Sequence, residues 1–328
     1  MSFDVILPFL KPIAHLIQDP EISEIMVNGS RRVFVERDGL LAEVADVILD
    51  ERNLRVAVKN IARALGDDVS EEQPILDARL PDGSRVAAVF PPCSVGGTTL
   101  TIRKFQARFF TAEELVRIGT MTPQVLSRLR DAIEARSNIL ISGGTSTGKT
   151  TVLNALATFL PVDERIVLVE DTAELHFTHA NLVRFEARRE QSQSSAVTIR
   201  DLLRTTLRHR PDRIILGEVR GGEAFDLLQA LNTGHAGSLS TIHANSASQA
   251  LARLASCVLQ GGIDLPYQAI RQQIGDAIQF VLHLTRKDRR RFAHELIRVG
   301  RYNETRDGYE PETVFSNDHR PTQTGGSL

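Results

Sequence analysis

An apolar run, Asn138-Ile139-Leu140-Ile141, is followed by Gly143-Gly144-Thr145-Ser146-Thr147-Gly148-Lys149-Thr150 and then by the amphipathic stretch Thr151 to Leu160. No other feature limits the fold so strongly, because a strand, a glycine-rich loop with the spacing G-x-x-x-x-G-K-[ST] and a helix, in that order, make a phosphate-binding loop. The glycines let the backbone curl so that successive N–H groups converge on one anion, and the helix starting near Lys149 offers its positive dipole end to it. Lys149 is spaced to reach the β- and γ-phosphates, and Thr150 to offer its hydroxyl to Mg²⁺. The expected ligand is a nucleoside triphosphate.

A chain of 328 residues with 42% hydrophobic content can bury a sizeable core, and its length suggests two domains. Val5 to Ile17, the longest apolar region near the start, is interrupted by Pro8, Lys11, Pro12 and His15. That excludes a signal peptide or bilayer span there and points to the cytoplasm. Cys93 and Cys257 are the only cysteines and form no C-x-x-C pair, so both read as buried or idle, with no disulfide framework or thiolate zinc site. A net charge of −2 gives no overall pull toward nucleic acid or acidic lipid, so partners must be argued from local sites.

Residues 1–105 mix one amphipathic helix, Asn53 to Leu65, with alternating runs at Glu24-Ile25-Met26-Val27, Arg32-Val33-Phe34-Val35 and Arg85-Val86-Ala87-Ala88-Val89. The spacing predicts a small α+β domain. Asp38-Gly39 and Asp82-Gly83 each lie between apolar runs, which is hairpin-turn chemistry. A linker is expected over residues 106–112, with Thr111-Ala112-Glu113-Glu114 reading as a capping box that opens a helix. From 113 to 300 strands alternate with helices: strands over 138–142, 165–170, 182–186, 213–217, 238–242 and 278–284, helices over 149–160, 197–208, 221–232 and 247–259. The fold class is α/β, a doubly wound, mainly parallel sheet around the phosphate loop, preceded by the α+β domain. Residues 301–328 turn polar and read as a tail that cannot bury enough apolar surface to order itself.

Hydrolysis of a γ-phosphate needs a metal anchor, a group that orients water and positive charge for the transition state. Asp212-Arg213-Ile214-Ile215-Leu216-Gly217-Glu218 is an apolar strand ending in a carboxylate, the layout that sets an acid at the carboxyl edge of a sheet. Glu218 is the first candidate for activating water or holding the metal's water shell; a surface glutamate capping the next helix is the plainer alternative. Val169-Glu170-Asp171-Thr172-Ala173-Glu174 ends a second strand, with Glu174 the candidate facing the γ-phosphate and Asp171 equally suited to a turn. Arg200, Arg204 and Arg208 share one helical stripe with Arg210 just beyond, either a solvated face or a surface for a neighbouring subunit's phosphates. Histidines flank the run Ser238 to Ile242, and His243 at a strand end near phosphate can sense its charge.

In this order the boxes resemble the traffic ATPases of type II and type IV secretion, type IV pili and conjugation. The phosphate loop is followed by an aspartate box at Val169 to Phe177, a Walker B segment at Arg210 to Ala224 and a histidine box at Gly234 to Asn245. Ile22 to Gly29, Asp77 to Val86 and Leu100 to Phe105 match in the first domain. Thr101 to Phe105, Asn232 to His235 and Gln272-Gln273-Ile274 bring it nearest the tight-adherence pilus and conjugal-transfer branch, and the four-cysteine insertion of general secretion members is lacking.

The resemblance implies a RecA-like core and a homohexamer that hydrolyses ATP with Mg²⁺, works against an inner-membrane platform and associates peripherally with the membrane. It implies that Arg85 and Arg103 reach phosphate across a domain cleft, that Arg210 and less so Arg208 contact phosphate, and that Thr151 joins the nucleotide-contacting set. It also implies that Glu218 and Glu174 share catalytic work with the base left open, that Glu218 and Thr150 serve the metal, and that His243 couples nucleotide state to domain position. A hexameric nucleic-acid motor of the same core is the alternative, on the strength of the basic run Arg286-Lys287-Asp288-Arg289-Arg290-Arg291. With 5% aromatics and no tryptophan, stacking platforms are scarce, so that run reads as a solvated turn between strands and no direct nucleic acid is expected.

Overall fold

The computed structural model describes residues 6–37, 39–45, 47–105, 109–188, 195–288 and 290–317. The chain forms two compact units, the first running to residue 108 and the second starting at Phe109. The expected linker falls partly on residues 106–108, outside the described residues.

The first unit contains α1 (Ala14–Gln18), β1 (Ile22–Asn28), β2 (Arg32–Arg37), β3 (Leu40–Val44), α2 (Glu51–Ala64), β4 (Ile75–Arg79), β5 (Arg85–Val89) and β6 (Thr99–Arg103). Its strands form one antiparallel sheet in the order β3-β2-β1-β6-β5-β4. Alternation does the sorting: Ile25, Val27, Val33, Val35, Val86, Ala88, Leu100 and Ile102 point inward and share a core with Leu54, Val58 and Ile61 of α2. Asp50 starts α2 by accepting the Asn53 N–H at 3.0 Å. Ile6, Leu10, Ile13 and Ile17 are buried in the same core, and no helix among the described residues is long and apolar enough to cross a membrane. Both expected hairpins form, β2 with β3 around Gly39 and β4 with β5 around Gly83, where φ is 94°.

The second unit continues with α3 (Ala112–Arg117), α4 (Pro123–Glu134), β7 (Ile139–Gly143), α5 (Lys149–Ala157), β8 (Ile166–Glu170), β9 (Leu182–Glu186), α6 (Ile199–Thr206), β10 (Arg213–Val219), α7 (Glu223–Asn232), β11 (Leu239–Ile242), α8 (Ala247–Gln260), α9 (Tyr267–Ala277), β12 (Phe280–Lys287), β13 (Arg290–Arg298), β14 (Tyr302–Asn303), β15 (Gly308–Tyr309) and β16 (Glu312–Ser316). Its main sheet has the order β16-β13-β12-β7-β11-β10-β8-β9, parallel from β12 to β9 and antiparallel at β12-β13 and β13-β16. Every residue of β7 and β8 is buried, as continuous apolar runs in a sheet covered on both faces should be. Leu140, Val167, Val169, Ile214 and Leu216 pack with α6 to α9, while Ile139, Ile141, Ile166, Leu168 and Ile215 pack with α3 to α5. The capping box at Thr111 is complete, its hydroxyl accepting the Glu114 N–H at 3.1 Å while Glu114 accepts the Thr111 N–H at 2.9 Å.

One sequence expectation changes. Residues 301–317 are not without order: β14 and β15 form a small ribbon, and β16 pairs with β13. Average polarity hid the anchors, since Val314 and Phe315 pack on the core beneath α3 to α5, and Tyr302 and Tyr309 hold the Arg271 guanidinium at 4.8 and 5.4 Å from their ring centres. Residues 318–328 of the expected tail lie outside the described residues. Both cysteines are free, Cys257 buried and Cys93 exposed.

Candidate functional site

Sheet order explains why distant residues meet. β11 lies between β7 and β10, so the residue just past β11 at the carboxyl edge stands between the loop after β7 and the acid at the end of β10. The three groups are His243, Lys149 and Glu218. Along β10, three steps from Leu216 to Val219 oppose two steps of β11, from Ser240 to Ile242, so an extra residue bulges at Gly217-Glu218 and re-aims the carboxylate. A Cβ at Gly217 would lie 3.0 Å from Glu170 Cγ, so any larger residue there would have to shift the buried glutamate at the end of β8.

Lys149 is buried, and its ammonium donates to the carbonyls of Gly143 at 3.1 Å and Gly144 at 3.0 Å, with His243 Nδ1 at 3.3 Å. Burial pushes the Lys149 pKa down, and the Glu218 charge opposes that shift. His243 Nε2 stands 2.8 Å from Glu218 Oε1, off the line of a hydrogen bond, which leaves that buried oxygen without a hydrogen-bond partner among the described residues. Burial and then the Lys149 charge push His243 below its usual value. The other oxygen, Glu218 Oε2, accepts from Arg220 Nε at 2.6 Å, and Arg220 also donates to Asp171 at 2.9 Å. A chain of polar contacts therefore runs Asp171, Arg220, Glu218, His243, Lys149 along the sheet edge.

Glu174 is exposed, and its carboxylate makes no hydrogen bond or ion pair among the described residues, though its charge acts on both Lys149 and Arg220. The backbone of Glu174 is fixed from below: Glu170 Oε1 accepts the N–H groups of Glu174 and Leu175, each at 2.8 Å, and Arg184 lies 3.5 Å from Glu170 Oε2. Burial pushes Glu170 up to about 7 against those contacts. An acid raised on folding favours the folded state while protonated, so its stabilising share is complete below 4.5 and is lost as pH rises through about 7. Glu170→Gln is expected to remove that loss, on the order of 2–3 kcal/mol. Comparing the urea midpoints of both proteins at pH 5 and pH 8 checks it, and an unchanged pH difference in the variant contradicts it.

Of the expected residues, the structure brings together the loop Gly143 to Thr150 with Thr151, Glu218 and His243, and places Glu174 within electrostatic range. Arg200 and Arg204 both bind Asp226 of α7, at 2.6 and 2.9 Å, with Arg200 partly buried and Arg204 exposed. Arg208 and Arg210 are exposed, and Arg210 has a left-handed backbone, φ 50°. In the first unit Arg85 and Arg103 stand directly opposite each other on β5 and β6, beside Asp77 at 3.8 Å and Glu24 at 3.5 Å respectively. Sequence reasoning missed Arg220, whose role depends on reaching back to Glu218 and Asp171. It also missed His283, which is buried against Ser142 Oγ at 2.9 Å and pushed down to about 4 by burial and then by His294.

The loop fits a triphosphate. A Cβ at Gly143 would meet Thr147 Oγ1 at 2.5 Å and the Leu284 carbonyl at 2.6 Å, so the loop closes only with glycine there, and Gly148 opens α5 with φ 94°. No cluster of three or more His, Cys, Asp or Glu suited to a metal exists among the described residues. The donors at hand, the Thr150 hydroxyl and the Glu218 carboxylate, suit an ion that takes most of its oxygens from phosphate and water.

Fold and site together define a P-loop ATPase with a RecA-like core. The chain belongs to the type II/IV secretion system protein family, whose model matches residues 9–312. It is similar to the conjugal transfer protein TrbB of Rhizobium radiobacter, 37% identical over 291 residues, which are 87% of this chain and 86% of that one. It is also similar to the type IV secretion system protein VirB11 of Brucella suis, 34% identical over 304 residues, 84% of each chain. Among solved structures, the ATPase DotB of Legionella pneumophila shares the fold at 20% identity, with a TM-score of 0.62 over 91% of this chain and 82% of its own.

Proposed function

We propose that the chain hydrolyses ATP with Mg²⁺ as a homohexamer and drives a conjugation or related type IV secretion machine from the cytoplasmic face of the inner membrane. The observation that carries the reading is the junction of Lys149, His243 and Glu218 at the mouth of the phosphate loop. Family membership and the likeness to TrbB and VirB11 support the choice of machine.

When bound, Mg²⁺ would be held by Thr150 and, through water, by Glu218, and would neutralise phosphate oxygens. Among the described residues Lys149 has carbonyls and His243 as its hydrogen-bonding neighbours, so phosphate oxygens are its stronger acceptors. Glu218 is held on one side by Arg220 and flanked on the other by His243, which suits a fixed anchor. The Glu174 carboxylate, without a partner among the described residues and on a backbone pinned by Glu170, suits the orienting of the attacking water. Arg85 and Arg103 belong to the proposal as phosphate contacts on the strength of the family resemblance, standing side by side on β5 and β6. Arg208 and Arg210 belong to it as surface that meets a neighbouring copy's nucleotide.

Glu174→Gln is expected to bind ATP with wild-type affinity and to release phosphate about 10²- to 10⁴-fold more slowly. Glu218→Gln should lose a similar factor and weaken Mg²⁺-dependent binding as well. Steady-state phosphate release and nucleotide titration with and without Mg²⁺ check both. Normal turnover in either variant removes that residue from the mechanism. Light scattering of Glu174→Gln with ATP should give six copies, and a persistent monomer contradicts the ring.

A further inference from the structure

The hairpin of β12 and β13 runs past the carboxyl edge of the parallel sheet. Leu284 pairs with Gly143, the last residue of β7, so the strand residues beyond Leu284 have no β7 partner and continue beside the phosphate loop. Across the hairpin Arg286 stands opposite Arg291, and Lys287 opposite Arg290. Two consecutive cross-strand pairs of like charge concentrate positive charge at one tip of the ribbon.

Arg291 ties this charge to the phosphate loop. Its Nε donates to the Ser146 carbonyl at 3.0 Å, and its Cδ lies 3.7 Å from the position of a Cβ on Gly148. Ser146 and Gly148 both hold left-handed backbone, with φ of 58° and 94°, so Arg291 grips the loop where its conformation is most demanding. No second hydrogen bond uses its guanidinium among the described residues, which leaves both Nη groups for a ligand. Arg286, the direct partner of Arg291, projects from the same face of the ribbon. That face continues into Leu284 and Ala293, which share a core with α5, the helix the phosphate loop opens.

We propose that this hairpin is a wall of the nucleotide site: Arg291 fixes the phosphate loop through the Ser146 carbonyl and, with Arg286, supplies positive charge to the bound polyphosphate. The proposal rests on the ATPase reading and adds residues to it that the loop and the acidic boxes do not contain. Arg291 is a positioning residue for the loop, so its loss acts on nucleotide affinity more than on the chemical step. The basic run read as a solvated turn is thereby a functional part of the ATPase.

Full-length wild type, Arg291→Ala, Arg291→Lys and Arg286→Ala are compared for binding of the fluorescent analogue mant-ATP and for steady-state phosphate release. Arg291→Ala is expected to raise the analogue Kd and the KM for ATP about tenfold while kcat falls less than about threefold. Arg291→Lys should recover most of the affinity. Arg286→Ala should weaken binding about two- to threefold, an effect that added salt erases. Wild-type Kd and KM in Arg291→Ala, or a loss confined to kcat, overturns the proposal while ATP turnover by the wild type stands. A wild type that neither binds mant-ATP nor releases phosphate overturns the ATPase reading and this proposal with it. Should Arg291→Ala not fold, Arg291→Lys is set against Arg291→Gln: tighter binding by the lysine variant supports the proposal, and equal binding overturns it.

Discussion

Lys149→Ala is expected to release phosphate at least about 10³-fold more slowly than wild type and to bind ATP less tightly. Lys149 is a buried ammonium at the point where the loop meets the sheet edge, with its charge lowered in cost by Glu218 and its protons shared between two loop carbonyls. The neighbouring cations cannot replace it. Arg220 is engaged by both Glu218 and Asp171, and His243 is pushed toward its neutral form. Lys149→Arg should fail almost as completely, because the space between two carbonyls and an imidazole accepts a compact ammonium and not a planar fork. A coupled phosphate-release assay checks this, and turnover within about tenfold of wild type in Lys149→Ala would contradict it.

Arg213→Ala is expected to lower stability by about 3–5 kcal/mol without changing nucleotide affinity in the protein that remains folded. Arg213 is fully buried at the amino-terminal edge of β10, the opposite end of the strand from Glu218. Its guanidinium binds the Glu164 carboxylate, donates to the Ile133 carbonyl at 2.8 Å, and packs so closely on Gly237 that a Cβ there would lie 2.7 Å from Nη1. Truncation leaves a carboxylate with only Arg136 at 3.6 Å among the described residues and takes one donor from the Ile133 carbonyl, which keeps the Arg136 N–H at 3.1 Å. Replacing both partners together, Arg213→Met with Glu164→Leu, should recover at least about half of the loss, since an apolar pair leaves no uncompensated charge. Urea midpoints of the three proteins measure it, and a shift below about 1 kcal/mol for Arg213→Ala would contradict the burial argument.

Lys149 and Arg213 differ in how far each was legible in the sequence. The motifs that bind phosphate are local, so Lys149 and its loop can be read from eight consecutive letters. The parallel strands are equally plain, because burial on both faces writes β7, β8 and β10 as unbroken apolar runs. Arg213 carries no such signal: as the first residue of a strand it reads as surface, and only the return of Glu164 and Gly237 to the same edge buries it. Asn138 is similar, reading as the start of a strand while its side chain ties the N–H groups of Gly237 and Ser238 to the Ala277 carbonyl. Among the acids, pattern placed Glu218 and Glu174 at one sheet edge. It could not separate them, because the difference lies in Arg220, His243 and Glu170, which arrive from three further positions. The arginine stripe did not disclose its partner, because Asp226 sits on the next helix, and the polar end of the chain misled because β16 draws its order from backbone pairing with β13. Arg85 and Arg103 are legible as a pair through their register and belong to the first unit.

The most direct test of the account is a crystal structure of the chain with a non-hydrolysable ATP analogue and Mg²⁺. The account predicts the β-phosphate inside the curl of residues 143–150, the Lys149 ammonium turned from the Gly143 and Gly144 carbonyls onto phosphate oxygens, and Glu218 beside the metal. An analogue bound elsewhere, with Lys149 still donating to those two carbonyls, would contradict it.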